Sequence, residues 1–84
     1  MVNDPGALAL AALGWVLAEE ARANRFLDLT GLTPDLLRDT LDRKATHCAI
    51  LEFLAAHEPD LLGAAAALDI PPERITQAHQ ELRR

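Results

Sequence analysis

Residues 4–20 read DPGALALAALGWVLAEE, and this stretch predicts the first and most apolar helix of the chain. The Asp4 carboxylate can accept a hydrogen bond from the first helical turn, where Pro5 fits because the N–H that it lacks would have no partner. From Ala7 to Ala18 all residues are apolar or glycine, without the alternation of period two that a half-buried strand shows. We therefore expect a helix from Pro5 to about Glu20.

Capping residues and prolines divide the rest of the chain into further short helices. The expected boundaries are Gly31, Thr33, Pro34, Asp42, Pro59, Asp69 and Pro72. Gly31 should adopt the left-handed conformation that ends a helix, while Thr33 and Asp42 should act as N-caps. The expected ranges are 21–30, from 34 onwards, 43–57, 59–69 and from 72 to the C-terminus. The sequence thus predicts an all-α bundle of five or six short helices, with the first and fourth as a central antiparallel or crossed pair.

The composition indicates one folded domain over residues 1–84. Half of the residues are apolar and a quarter are charged, which is typical of a globular domain and excludes a disordered tail. Two domains would each be too short to fold alone. The apolar half is mostly alanine and leucine, which favours helix over sheet. The expected core residues are Leu13, Trp15, Val16, Phe26, Leu29, Leu32, Leu37, Ile50, Leu51, Phe53, Leu54, Leu62, Leu68, Ile70 and Ile75, with Leu36 and Leu41 also facing inwards.

An internal repeat relates the two halves of the chain. A shift of 38 residues without a gap places Trp15 on Phe53 and Pro34 on Pro72, together with several bulky core positions. We therefore predict two copies of a three-helix unit, over residues 4–41 and 42–84. Neither unit should bury its own apolar face, so the two units must pack together.

Two phrases of the sequence resemble a known family. Residues 25–37, RFLDLTGLTPDLL, are similar to the RFL-x-L-(S/T)-GL-x-P-x-x-L stretch of a short alphaproteobacterial family, the domain of unknown function numbered 3572. Residues 50–54, ILEFL, resemble it as well, as does the alanine-rich segment that ends in residues 69–72, DIPP. The resemblance covers residues 7–78 and implies an all-helical fold. Its motifs are structural, so it implies no catalytic or binding residue.

No residue pattern indicates an enzyme, a metal site or a cofactor site. His47 and His57 are ten residues apart on one predicted helix, about 15 Å along its axis, so one ion cannot bridge them. With His79 they lack any zinc or di-metal spacing, and we expect local hydrogen bonds instead. Cys48 is the single cysteine, and with Lys44 and Glu52 at opposite four-residue spacings we expect it to be a packing residue. The chain contains no serine and no glycine-rich phosphate loop.

A helix-turn-helix DNA-binding protein is the alternative function. The expected fifth helix, the turn over 69–71 and the helix from Pro72 resemble that motif, with Glu73, Arg74 and Gln77 where base contacts would be made. Five acids against three bases over residues 58–84, and a net charge of −5 for the whole chain, argue against a nucleic acid or an anionic membrane as the main partner.

The sequence favours a cytoplasmic protein. A lone cysteine suits a reducing compartment, and the apolar run over 7–18 is too short to span a bilayer. The residues 21–23, Ala-Arg-Ala, are similar to a signal-peptide cleavage site, but no base precedes the apolar run as secretion would need.

The outer side of the first helix is the candidate interface. Leu10, Gly14 and Leu17 occupy that side, which makes the helix apolar all round and requires cover on both sides. The cover is either intrachain, from the second and sixth helices with Leu82, or a second chain. We expect a non-enzymatic protein-protein interaction module, whose partner is a homodimer copy or an unknown protein.

Overall fold

The fold is all-α, as the sequence predicts. The computed structural model describes residues 4–84 and contains, over that range, six α-helices and no β-strand. The helices are α1 (Pro5–Leu17), α2 (Glu20–Thr30), α3 (Pro34–Asp39), α4 (Lys44–Ala55), α5 (Glu58–Leu68) and α6 (Pro72–Leu82).

Local side-chain chemistry sets the boundaries of the first helices as expected. The backbone N–H of Ala7 donates to Asp4 Oδ2 at 2.8 Å, and that of Leu36 donates to Thr33 Oγ1 at 3.1 Å. Gly31 ends α2 in the left-handed conformation with φ 74°. Helix α1 ends at Leu17 rather than near residue 20, because Glu19 is extended and is the N-cap residue of α2.

The expected cap at Asp42 is wrong. Helix α4 begins at Lys44, and the residue with extended backbone before it is Arg43, which makes no side-chain cap hydrogen bond. The reason is the tight turn after α3, in which the Arg43 N–H donates to the carbonyl of Thr40 at 3.0 Å. The helix also ends at Ala55 instead of residue 57, since His57 is extended and precedes α5.

Helices α1 and α4 form the central pair of the bundle. They contact each other, and each of them also contacts α2, α5 and α6. The buried apolar residues are Leu8, Ala9, Ala12, Leu13, Val16, Phe26, Leu37, Ile50, Leu51, Phe53, Leu54, Ala64, Ala65, Ile75 and Ala78. Trp15, Leu32, Leu41, Leu68 and Ile70 are partly buried against this core. The Phe26 and Phe53 rings meet edge to face with their centroids 5.3 Å apart.

Three leucines expected to face inwards are exposed. Leu29 has 72% of its surface accessible, and Leu36 and Leu62 are about half exposed. The inward face of α2 follows residues 23, 26, 27 and 30, at the i, i+3, i+4, i+7 spacing of one helical face, and Leu29 lies beside it. In α3 the inward position belongs to Leu37, and in α5 it belongs to Ala64 and Ala65. Composition alone could not distinguish these neighbouring apolar positions.

The helix boundaries follow the predicted 38-residue offset. Helices α2 and α5 coincide under that shift over their whole length, and α3 and α6 both begin at a proline. Gly31 and Asp69, which the shift also pairs, both have positive φ, 74° and 57°. The two halves differ in the length of their third helix, since α3 has 6 residues and α6 has 11. The superposition of residues 4–41 on 42–84 stays a prediction.

We predict that Phe53→Ala lowers the free energy of unfolding by about 3–5 kcal/mol, because it removes a ring that is 6% exposed and contacts Phe26. Leu29→Ala is the matched control, and its exposed side chain should change the stability by about 0.5 kcal/mol or less. Urea denaturation measures both. A loss below about 1 kcal/mol for Phe53→Ala would contradict the core described here.

Candidate interaction surface

The outer face of α1, defined as Leu10, Gly14 and Leu17, is exposed. These residues follow the i, i+4, i+7 spacing of one helical face, and Leu10 and Leu17 have 40% and 44% of their surfaces accessible. The opposite face of α1 lies in the core. Leu82 packs against the core, yet over residues 4–84 no part of the chain covers the outer face fully. The role of these residues as an interface stays a prediction.

Gly14 has open space above it. A Cβ atom at this position would meet no heavy atom of residues 4–84 within 4 Å, apart from the helix's own neighbouring backbone. Gly63 on α5 is different, since a Cβ there would lie 2.6 Å from Trp15 Cζ2. Packing within the chain therefore requires a glycine at 63 and not at 14.

No charged side chain lies between Pro5 and Leu17. A groove of about 310 Å³ continues the apolar surface from Leu17 towards α3, where Leu27, Pro34 and Leu41 line it. The outer face of α1 and this groove together give a mainly apolar surface, and Arg38 is the charged residue among those that line the groove.

Arg22 closes the C-terminal end of α1, a role that the sequence did not indicate. Its guanidinium lies over the Trp15 ring, 3.5 Å from the centroid, and Nη2 donates to the Trp15 carbonyl. Nη1 also lies 3.4 Å from Glu19. The Trp15 carbonyl, which also accepts from the Ala18 N–H at 3.2 Å, thereby gains a second donor, and the indole is held against Gly63.

A second polar cluster, Arg25–Asp60–His57, joins α2 to the start of α5. Asp60 is buried, and its Oδ2 accepts a hydrogen bond from Arg25 Nη2 and lies 3.1 Å from His57 Nδ1. A carboxylate in the first turn of a helix also interacts favourably with the helix dipole. The spacing of His57 and Asp60 was visible in the sequence, but Arg25 is 35 residues from Asp60 and gave no local signal.

The other candidates from the sequence, His47 and Cys48, have different local environments. His47 Nε2 lies 2.6 Å from the Leu41 carbonyl, a local contact like the one between His57 and Asp60. Cys48 is a partly buried free thiol. Over residues 4–84, no three His, Cys, Asp or Glu side chains are grouped so that they could hold a metal ion.

The outward side of α6 is mainly acidic and neutral. Glu73 and Gln77 are exposed, as the DNA-binding alternative requires. Arg74, however, donates from Nη1 to Glu81 at 3.0 Å, so its charge is partly compensated. Phosphate binding normally needs several uncompensated cations on one face.

The fold and this surface define a small all-helical protein built on a central α1–α4 pair, with an apolar, uncharged outer helix face. The match to a family model gives its family: residues 2–84 match the family described as protein of unknown function, DUF3572, and the chain belongs to that family. No curated protein and no solved structure matches the chain. Across residues 4–84, none of the helices combines the length and apolar character needed to cross a membrane.

Two glycine substitutions test the difference between positions 14 and 63. Gly14→Ala should raise the stability of the monomer by about 1 kcal/mol, because alanine is the better helix former and its methyl group meets open space. Gly63→Ala should lower it by about 1–2 kcal/mol, because Trp15 must move. Urea denaturation at micromolar protein concentration compares the two variants. Equal effects would contradict the packing of Trp15 on Gly63.

Proposed function

We propose that the protein is a non-enzymatic interaction module of the cytoplasm and that the outer face of α1 is its contact surface. One observation carries the proposal: Leu10 and Leu17 remain accessible on a helix with no charged residue from Pro5 to Leu17. Removing such leucine surface from water contributes about 25 cal/mol per Å² buried, and no desolvated charge opposes it.

The side chains that could perform chemistry are used for structure, which supports a binding role. Asp60 is held by Arg25 and His57, while His47 contacts a backbone carbonyl. General acid–base catalysis needs a titratable group within hydrogen-bond reach of a substrate proton, and nucleophilic catalysis needs an activated nucleophile. The partner of the proposed surface is a second copy of the chain or another protein.

The charges on α6 favour this proposal over DNA binding. The exposed Glu73 would face the phosphate-rich groove, and the ion pair between Arg74 and Glu81 reduces the available positive charge. A gel shift at low salt with a competitor duplex tests the alternative. A specific shift that Gln77→Ala abolishes would replace the interaction module as the conclusion.

We predict that the Leu10→Glu/Leu17→Glu double variant loses the contact and keeps the fold, because both side chains are substantially exposed. Sedimentation of the wild-type chain and of the variant measures self-association. Leu29→Glu/Leu62→Glu is the matched control, with the same change of charge at two exposed leucines outside α1.

A dimeric wild type, a folded monomeric α1 variant and a dimeric control would support self-association. A monomeric wild type would overturn self-association and leave another protein as the partner. Affinity capture from the native cell with both variants then tests that partner, which should be lost with the α1 variant and retained with the control. An α1 variant that unfolds would place Leu10 and Leu17 in the core and contradict the proposal.

A further inference from the structure

Acidic side chains lie at both ends of α1, the helix that carries the proposed contact surface. Asp4 is exposed at the N-terminal end, and its Oδ2 accepts a hydrogen bond from the N–H of Ala7. Ala7 is itself exposed and lies one turn before Leu10 on the same helical face. Just beyond the C-terminal end of the helix, Glu19 and Glu20 are exposed. The apolar outer face therefore has negative charge at both ends.

The neighbouring arginines offset this charge only in part. Residues 1–21 contain no lysine or arginine. Arg22 has only 12% of its side chain exposed, and the side chain of Glu19, with which it pairs, is still 63% exposed. Arg38, in the groove beside α1, lies 3.2 Å from Asp35. A molecule that covers the outer face of α1 therefore meets acids at both ends of the helix.

These charges disfavour a second copy of the chain as the partner. Two α1 helices packed in the same direction would bring Asp4 beside its own copy, and Glu19 and Glu20 beside theirs. In opposite directions, Asp4 of each copy would face Glu19 and Glu20 of the other. Like charges at close range oppose association, and the net charge of −5 on each chain adds to the repulsion. Both orientations are thus unfavourable at both ends of the contact.

The dimensions of the surface fit a short partner helix. Asp4 and Glu19 flank the 13 residues of α1, which extend about 20 Å along the axis. Leu10 and Leu17 are about 10 Å apart along the helix, and Gly14 between them leaves open space. An apolar side chain of a partner helix can lie over Gly14 between the two leucines, as a knob enters a hole between packed helices. Amphipathic helices bind apolar surfaces of this kind through residues at i, i+3, i+4 and i+7.

We propose that the partner of the outer face of α1 is a helical segment of another protein, with an apolar stripe in its middle and lysine or arginine at both ends. This inference rests on the proposed function and names the chemistry of the partner. The apolar stripe covers the outer face, while the basic ends, about 20 Å or about 13 helical residues apart, lie beside Asp4 and beside Glu19 and Glu20. Apolar contact supplies most of the affinity, and the ion pairs set the choice of partner.

A set of synthetic helical peptides tests this chemistry on the full chain. Each peptide has about 13 central residues of alanine and glutamine with leucines on one face, and its ends carry pairs of arginine, glutamine or glutamate. Titration into the ¹⁵N-labelled protein, followed by ¹H–¹⁵N NMR, measures affinity and location. The arginine-ended peptide should shift the amides of residues 7–20 and bind about tenfold or more tightly than the glutamate-ended peptide. Added salt should reduce this difference, because the charges are exposed.

Variants of the acids separate charge recognition from apolar contact. Asp4→Asn/Glu20→Gln should weaken binding of the arginine-ended peptide about threefold or more and leave that of the glutamine-ended peptide unchanged. The fold should persist, because asparagine is as good an N-cap as aspartate and both positions are exposed. Asp28→Asn/Glu52→Gln is the matched control, with the same change of charge at two exposed acids outside α1, and it should leave the affinity of both peptides unchanged.

The outcomes distinguish this inference from the proposed function. Equal affinity of the three peptides, or equal effects of the two double variants, would overturn the basic-ended partner, while binding at residues 7–20 would still support contact through α1. A wild-type dimer that Leu10→Glu/Leu17→Glu dissociates would likewise overturn the basic-ended partner and support the proposed function. Failure of every peptide to bind the outer face of α1 would overturn this inference, whereas affinity capture with the α1 variant tests the proposed function separately.

Discussion

The contact between α1 and α4 is the constraint on which the rest of the fold depends. Helices α2, α5 and α6 each pack against both members of this pair. Burial of one large apolar side chain contributes about 1.5–3 kcal/mol, and a small domain has few such residues to lose. Phe53 links the pair to α2 through the ring of Phe26, and Trp15 links it to α5 through Gly63. A defect in the central pair therefore loosens three other helices at once.

Local signals explain which parts of the fold could be predicted from the sequence. Asp4, Thr33 and Gly31 act on backbone groups within three or four residues of themselves, so their roles were visible in the sequence. Asp42 failed as a cap because a turn hydrogen bond placed the extended residue one position later. The exposure of Leu29, like the pairing of Arg25 with Asp60, depends on how separate helices meet, and the order of residues along one helix does not contain that information.

The differences between the two halves coincide with the open surfaces. The offset pairs Leu10 and Leu17 with Cys48 and Ala55, so the exposed leucines of α1 correspond to smaller side chains on α4. It also pairs the short α3 with the longer α6, and the groove of about 310 Å³ lies beside α3. If the halves are repeats, their shared positions form the core, and the positions at which they differ include the exposed leucines of α1.

Folding stability alone does not account for the outer face of α1. A glycine within a helix costs about 1 kcal/mol relative to alanine, and Gly14 has no neighbour in residues 4–84 that would exclude a methyl group. Glutamate, lysine or glutamine at positions 10 and 17 would have a helix propensity close to that of leucine and would be better solvated. Three positions on one face thus depart from the composition that an isolated, water-facing helix favours. The proposed contact with another molecule would account for all three, because it would bury the leucines and use the close approach that glycine permits.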